Sequence, residues 1–60
     1  MKIEYDPKHD IMNIEFLSKD IEESVGVAEG IIVDYSKEKE IVSIELLDVS
    51  KRTSNLDGFS

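Results

Sequence analysis

The stretch "GIIVDYSKEKEIVSIELLDVS", residues 30–50, holds two apolar runs around a charged knot. Ile31, Val33 and Tyr35 alternate with Ile32 and Asp34. Beyond the knot, Val42, Ile44 and Leu46 alternate with Ile41, Ser43 and Glu45. A period of two sends successive side chains to opposite faces of a strand. Glutamate and leucine also suit a helix, but residues 40–49 place β-branched residues and leucine in that alternation, which favours strand. Residues 36–40, all polar, make the turn, so the stretch predicts a β-hairpin. The Leu46-Leu47 pair interrupts the pattern and predicts a bulge or the strand's exit from the sheet.

The same period appears nearer the N-terminus. In KIEYD, residues 2–6, Ile3 and Tyr5 share a face, and in IMNIEFL, residues 11–17, Met12, Ile14 and Phe16 do. Between them, Asp6-Pro7-Lys8-His9-Asp10 places aspartate and proline where a tight turn wants them. Residues 18–24 form a polar connection around Ile21. Residues 25–30, VGVAEG, predict an irregular strand in which Gly26 and Gly30 weaken the ladder or mark a bulge. Asp48 to Arg52 predict a short helical turn capped by Asp48, with Asp48 and Arg52 four apart and able to pair. The expected architecture is mainly β: a small antiparallel four-stranded β-meander with a short C-terminal helical turn. One domain covers 1–52 and a flexible tail covers 53–60, whose Leu56 and Phe59 are candidates for docking.

Composition narrows the function. With 60 residues the chain is one domain at most, and a folded chain of that size hides only about 60% of the surface its unfolded form exposes. There is no cysteine, so neither a disulfide nor a cysteine-held metal can supplement the core. The net charge of −7, from 14 acidic and 7 basic residues, repels nucleic acid, and Lys51-Arg52 is too small a basic patch to reverse that. No apolar run approaches the ~20 residues that cross a bilayer, and residues 1–5 lack the apolar core of a signal peptide. The expectation is a cytoplasmic protein with no membrane or nucleic-acid partner.

Candidate sites are few. His9, the sole histidine, lies between Asp6 and Asp10, an imidazole and two carboxylates that would ligate a divalent metal if they converged, although solvated turns have the same composition. Asp34, Glu15 and Glu45 fall opposite the apolar stripe. Two carboxylates of unequal environment can do acid–base work in a cleft, but a small sheet more readily presents them on a solvated outer face. The scattered serines have no base assigned to them, and Gly26, Gly30 and Gly58 do not make a phosphate loop. No catalytic residue and no cofactor is expected. Tyr5, Phe16 and Tyr35 belong to the core stripe rather than to a base-stacking platform.

Tyr5-Asp6-Pro7 after the first strand, Gly30-Ile31-Ile32-Val33-Asp34-Tyr35, and Ile44-Glu45-Leu46-Leu47-Asp48-Val49-Ser50-Lys51-Arg52 occur in an order that resembles domain of unknown function family 2283. The resemblance covers roughly residues 1–52. It implies a short prokaryotic protein without an established activity, and an association of some members with toxin-like genes suggests an antitoxin or partner-binding role. The turn 36–40 departs from the Asp-Gly character of relatives.

A sheet with Ile3, Tyr5, Met12, Ile14, Phe16, Val33, Tyr35, Val42, Ile44 and Leu46 on one face has no amphipathic helix to cover it. Ile11, Leu17, Ile32 and Leu47 add apolar positions behind. The expectation is a homodimer acting as a non-enzymatic interaction module, with Leu47, Val49 and Arg52 as contact candidates for a partner. The alternative is a small metal-binding protein or enzyme using His9 and its neighbouring carboxylates.

Overall fold

The computed structural model describes residues 1–51. Five strands form one antiparallel sheet: β1 (Lys2–Asp6), β2 (Ile11–Glu15), β3 (Glu23–Ala28), β4 (Ile31–Tyr35) and β5 (Ile41–Leu47), followed by a single helical turn at 49–51. Residues 53–60, with Leu56 and Phe59, lie outside the described residues, as does Arg52.

The spatial order is β1-β2-β5-β4-β3, which corrects the four-stranded meander on two points. The irregular run at 25–30 reaches back to Glu23 and is a full member of the ladder, its glycine tolerated because a bulge between Gly26 and Ala28 takes up the irregularity. The chain also does not meander throughout. Residues 16–22 carry it past two strand positions to the far edge, and β5 enters last between β2 and β4. The physical reason lies in β5 itself, the longest strand at seven residues, with apolar side chains on both faces. Such a strand gains most from a neighbour on each side.

Three turns explain themselves locally. Asp6 Oδ1 accepts the amides of Lys8 (3.0 Å) and His9 (3.4 Å) across Pro7, the aspartate turn the sequence announces. Gly30, at φ 76°, closes the β3–β4 connection in a conformation that suits glycine. The 36–40 turn is tied by the Ser36 amide on the Glu40 carbonyl (2.9 Å) and the Glu40 amide on Ser36 Oγ (3.2 Å), with Lys39 at φ 68°.

At Leu46-Leu47 there is no bulge, since Leu46 stands opposite Met12 and Leu47 opposite Ile11. Leu47 is the last residue of β5, so the pair marks the strand's exit from the sheet. Leu47 simply faces the reverse side, where Ile11 makes an apolar position useful. The β5 bulge lies at the other end, where Val42 is inserted between the Asp34–Ser43 and Tyr35–Ile41 pairs. Its carbonyl accepts the amides of both Phe16 (2.8 Å) and Leu17 (3.1 Å), so β2 stops at Glu15 rather than at residue 17.

The register aligns two apolar rows across all five strands: Ile3–Ile14–Ile44–Val33–Val25 and Tyr5–Met12–Leu46–Ile31–Ala28. The reverse face carries Lys2–Glu15–Ser43–Asp34–Ser24, then Glu4–Asn13–Glu45–Ile32–Gly26, then Asp6–Ile11–Leu47. Among the described residues, the apolar side chains that become buried are Val33 and Val42, both next to the sheet centre.

Candidate functional site

The reverse face holds the most organised polar cluster. Asp34 of β4 stands between Ser24 of β3 and Ser43 of β5, and each serine Oγ donates to one of its carboxylate oxygens at 2.6 Å. Asp34 is completely buried and Ser43 nearly so. This overturns the solvated outer face expected for Asp34, which stands on an inner strand with a serine bonded to it from each neighbouring strand. Glu45, half-buried, stands diagonally across the β4–β5 ladder from Asp34 on the same face. Burial pushes Asp34 up, but the bonds from Ser24, Ser43 and Glu45 outweigh it and hold the carboxyl below its usual range. Burial, then the bond to Asp34 and its charge, push Glu45 up. Glu15 shares the row but has no part in this cluster of bonds. Sequence reasoning placed the acids on one face and missed the serines. Their signal was present in the ladder: serines at the register positions that flank an aspartate.

A second carboxylate organises the opposite end of the sheet. Asp10, at φ 56°, accepts Tyr5 Oη (2.7 Å) and Ser50 Oγ (2.7 Å), and its carboxylate also receives the Ser50 amide at 3.2 Å. The Val49 amide donates to the Asp10 carbonyl (3.2 Å). The exposed amides of the helical turn are therefore met by Asp10, 40 residues upstream, and not by the Asp48 cap the sequence predicts. Asp48 instead sits at φ 53° with its carbonyl accepting the Lys51 amide (3.1 Å). Hydrogen bonds from Tyr5 and Ser50 hold Asp10 below the usual carboxylate range, and the same bond raises Tyr5.

Asp6, His9 and Asp10 are neighbours in the chain with separate employments. Asp6 Oδ2 meets His9 Nδ1 at 2.8 Å, which lowers the Asp6 carboxyl, while Asp10 turns to Tyr5 and Ser50. Among the described residues no group of three histidine and carboxylate side chains is placed to hold a metal ion. Leu47 lies on the reverse face opposite Ile11, and Val49 is half-buried at the helical turn; Arg52 is outside the described residues. An open polar recess lies between the 18–22 connection and the 36–38 turn, where Lys19 pairs with Glu40 and, at 3.8 Å, with Glu38. No helix among the described residues is long and apolar enough to cross a membrane.

What the geometry offers is a satisfied polar cluster on one face and a broad apolar platform on the other. No curated protein and no solved structure matches the chain. The family model described as "Protein of unknown function (DUF2283)" matches residues 2–50. The segments quoted for the resemblance furnish Tyr5, Gly30, Asp34, Glu45 and Ser50, the residues of the turns and hydrogen bonds just described. The chain belongs to the DUF2283 family.

Proposed function

We propose that this protein is a non-enzymatic, cytoplasmic interaction module that works as a homodimer, two copies meeting through the apolar face. The observation that carries the reading is the state of that face in one copy. Its two rows contain no charged side chain, yet Ile3 and Tyr5 remain 58% and 48% exposed. Sheets that pack face to face do so with such surfaces about 10 Å apart. Charge segregation favours a second copy as the occupant. Lys2, Glu4, Asp6, Glu15, Asp34 and Glu45 stand on the reverse face. Of the strand carboxylates Glu23 alone falls on the apolar side, at its margin opposite Tyr35. Stacking the apolar faces therefore keeps most strand carboxylates of two chains of net charge −7 apart. A two-fold interface also needs only one self-complementary patch.

Ile3→Lys tests this, because a lysine at a site so exposed costs a monomer little. Light scattering at micromolar concentration is expected to show a dimer for the native chain and a 6.8 kDa-class particle for Ile3→Lys. Glu4→Gln, an equal change of charge on the reverse face, is expected to remain dimeric. A monomeric native chain whose melting temperature does not rise with concentration overturns the reading. A monomer that instead retains a different protein through this face replaces the second copy with that protein, the antitoxin-like form of the module. Leu47 lies on the reverse face opposite Ile11, and its truncation is expected to leave the pairing of copies intact.

A further inference from the structure

We propose that Asp34 and Glu45 hold one proton between them and that releasing it loosens the β4–β5 pairing, making the sheet a pH-responsive element. The inference stands apart from dimer formation and rests on the polar face alone.

Asp34 is wholly enclosed, and among the described residues the groups bonded to it are the hydroxyls of Ser24 and Ser43, with the Glu45 carboxyl diagonal to it and no cation paired with it. A buried carboxylate of this kind tolerates one negative charge when donors surround it. A second charge arriving beside it in a poorly solvated place is strongly opposed, as in any carboxyl pair that shares a proton. Glu45 supplies that second group. It sits diagonally across the β4–β5 ladder, since Asp34 stands opposite Ser43 and Glu45 opposite Ile32.

The rest of the face does not relieve the pair. From β3 comes Ser24, with Glu22 at the strand's entry; from β2 come Glu15 and Asn13; from β1 come Lys2, Glu4 and Asp6. Lys2, the cation among these, lies on the outermost strand and is 3.6 Å from Glu4. The remaining strand charges on this face are carboxylates and add to the repulsion. Beyond Ser36, the 18–22 connection and the 36–40 turn bring Asp20, Lys37 and Lys19, the last paired with Glu40 and Glu38. The pair also lies directly behind Val33 and Ile44, the middle of an apolar row, so strain between β4 and β5 reaches the platform.

The direction follows from the two carboxyls. Glu45 is raised above its ordinary 4.5, so what it contributes is present below that value and lost as pH rises through its elevated one. Asp34 is lowered from 3.8, so its contribution is present above that value and lost as pH falls through its depressed one. Stability is greatest in the interval between them, where the pair keeps one proton.

Urea denaturation of the full chain at one fixed concentration, from mildly acidic to mildly alkaline pH, tests the proposal together with carboxyl-carbon NMR titration. The native midpoint is expected to fall as pH rises above 4.5, and Glu45→Gln, which keeps a neutral donor beside Asp34, is expected to remove that fall. The Glu45 resonance is expected to titrate above its ordinary value with a response at Asp34 in the same step. A Glu45 that titrates at or below its ordinary value, or a Glu45→Gln chain with the native pH slope, overturns it. If Glu45→Gln does not fold, the native NMR titration decides alone.

Discussion

Asp34 on the polar face is 0% exposed, whereas Ile3 and Tyr5 on the apolar face are 58% and 48% exposed. In most small domains the order is the reverse. Here position in the sheet outranks hydropathy. Asp34 lies on an inner strand and is flanked by Ser24 and Ser43, while β1 is an edge with a neighbour on one side only. The polar centre is thus complete in a single copy, and the apolar face is not. One copy satisfies the carboxylate at its polar centre and leaves Ile3 and Tyr5 on its apolar face largely exposed.

The sharpest way to break this comparison is Asp34→Ala. The buried Ser43 hydroxyl and the more exposed Ser24 hydroxyl lose their acceptor, at a cost of about 1–3 kcal/mol. For a chain with the usual margin of roughly 0.1 kcal/mol per residue that is a large share of the total, and circular dichroism is expected to show a partly or wholly unfolded chain at ambient temperature. Little change in the urea midpoint would mean that the cluster is solvated.

Ile44→Ala sharpens the other side. Ile44 is half-buried in one copy, so in a monomer truncation costs on the order of 1 kcal/mol, and within a dry dimer interface about 2–4 kcal/mol. Thermal melts at two concentrations separate the cases: the loss is expected to be larger where the dimer is populated, and equal losses speak against a covered face.

Two backbone changes have smaller effects and act on turns and edges rather than on either face. Lys39 holds φ 68°, which a side chain resists, so Lys39→Gly is expected to gain about 0.5–1 kcal/mol. Gly26 has open space where a Cβ would stand, so Gly26→Ala is expected to gain about 0.4–1 kcal/mol by restricting the unfolded chain. Denaturant midpoints that fall in either variant contradict the respective account.

The smallest effect is local. Asp10→Ala removes the acceptor for Tyr5 and Ser50 at the exposed end of the sheet. Hydrogen exchange is expected to show faster exchange at the Ser50 amide with the β4–β5 amides unchanged. Protection at Ser50 that survives would return the capping role to Asp48.

Much of the local structure was legible. Alternation identified β1, β2, β4 and β5, the Asp6-Pro7 and 36–40 turns, and Ile3, Tyr5, Met12, Ile14, Val33, Ile44 and Leu46 as sharers of the apolar face. Phe16, by contrast, lies beyond β2, and the bulge at Val42 pairs Ile41 with Tyr35 against the expected alternation. Gly26 correctly marked an irregular strand, though not its standing as a fifth member of the ladder. The Asp34 cluster was half legible: alternation put Asp34 and Glu45 opposite the apolar stripe, but their burial depends on which strands lie alongside. The cap was misassigned for the same reason, since Asp48 is adjacent in sequence and Asp10 is adjacent in space.

The sequence by itself determined where strands and turns fall and which side of each strand is apolar, because side-chain direction and turn geometry are settled within a few residues. Only the tertiary structure decided that β5 lies between β2 and β4, that β1 and β3 are the edges, that Asp34 is enclosed with Glu45 beside it, and that Asp10 meets the helical turn. Those outcomes depend on competition among all possible ladders, in which the strand apolar on both faces gains most from a place near the middle.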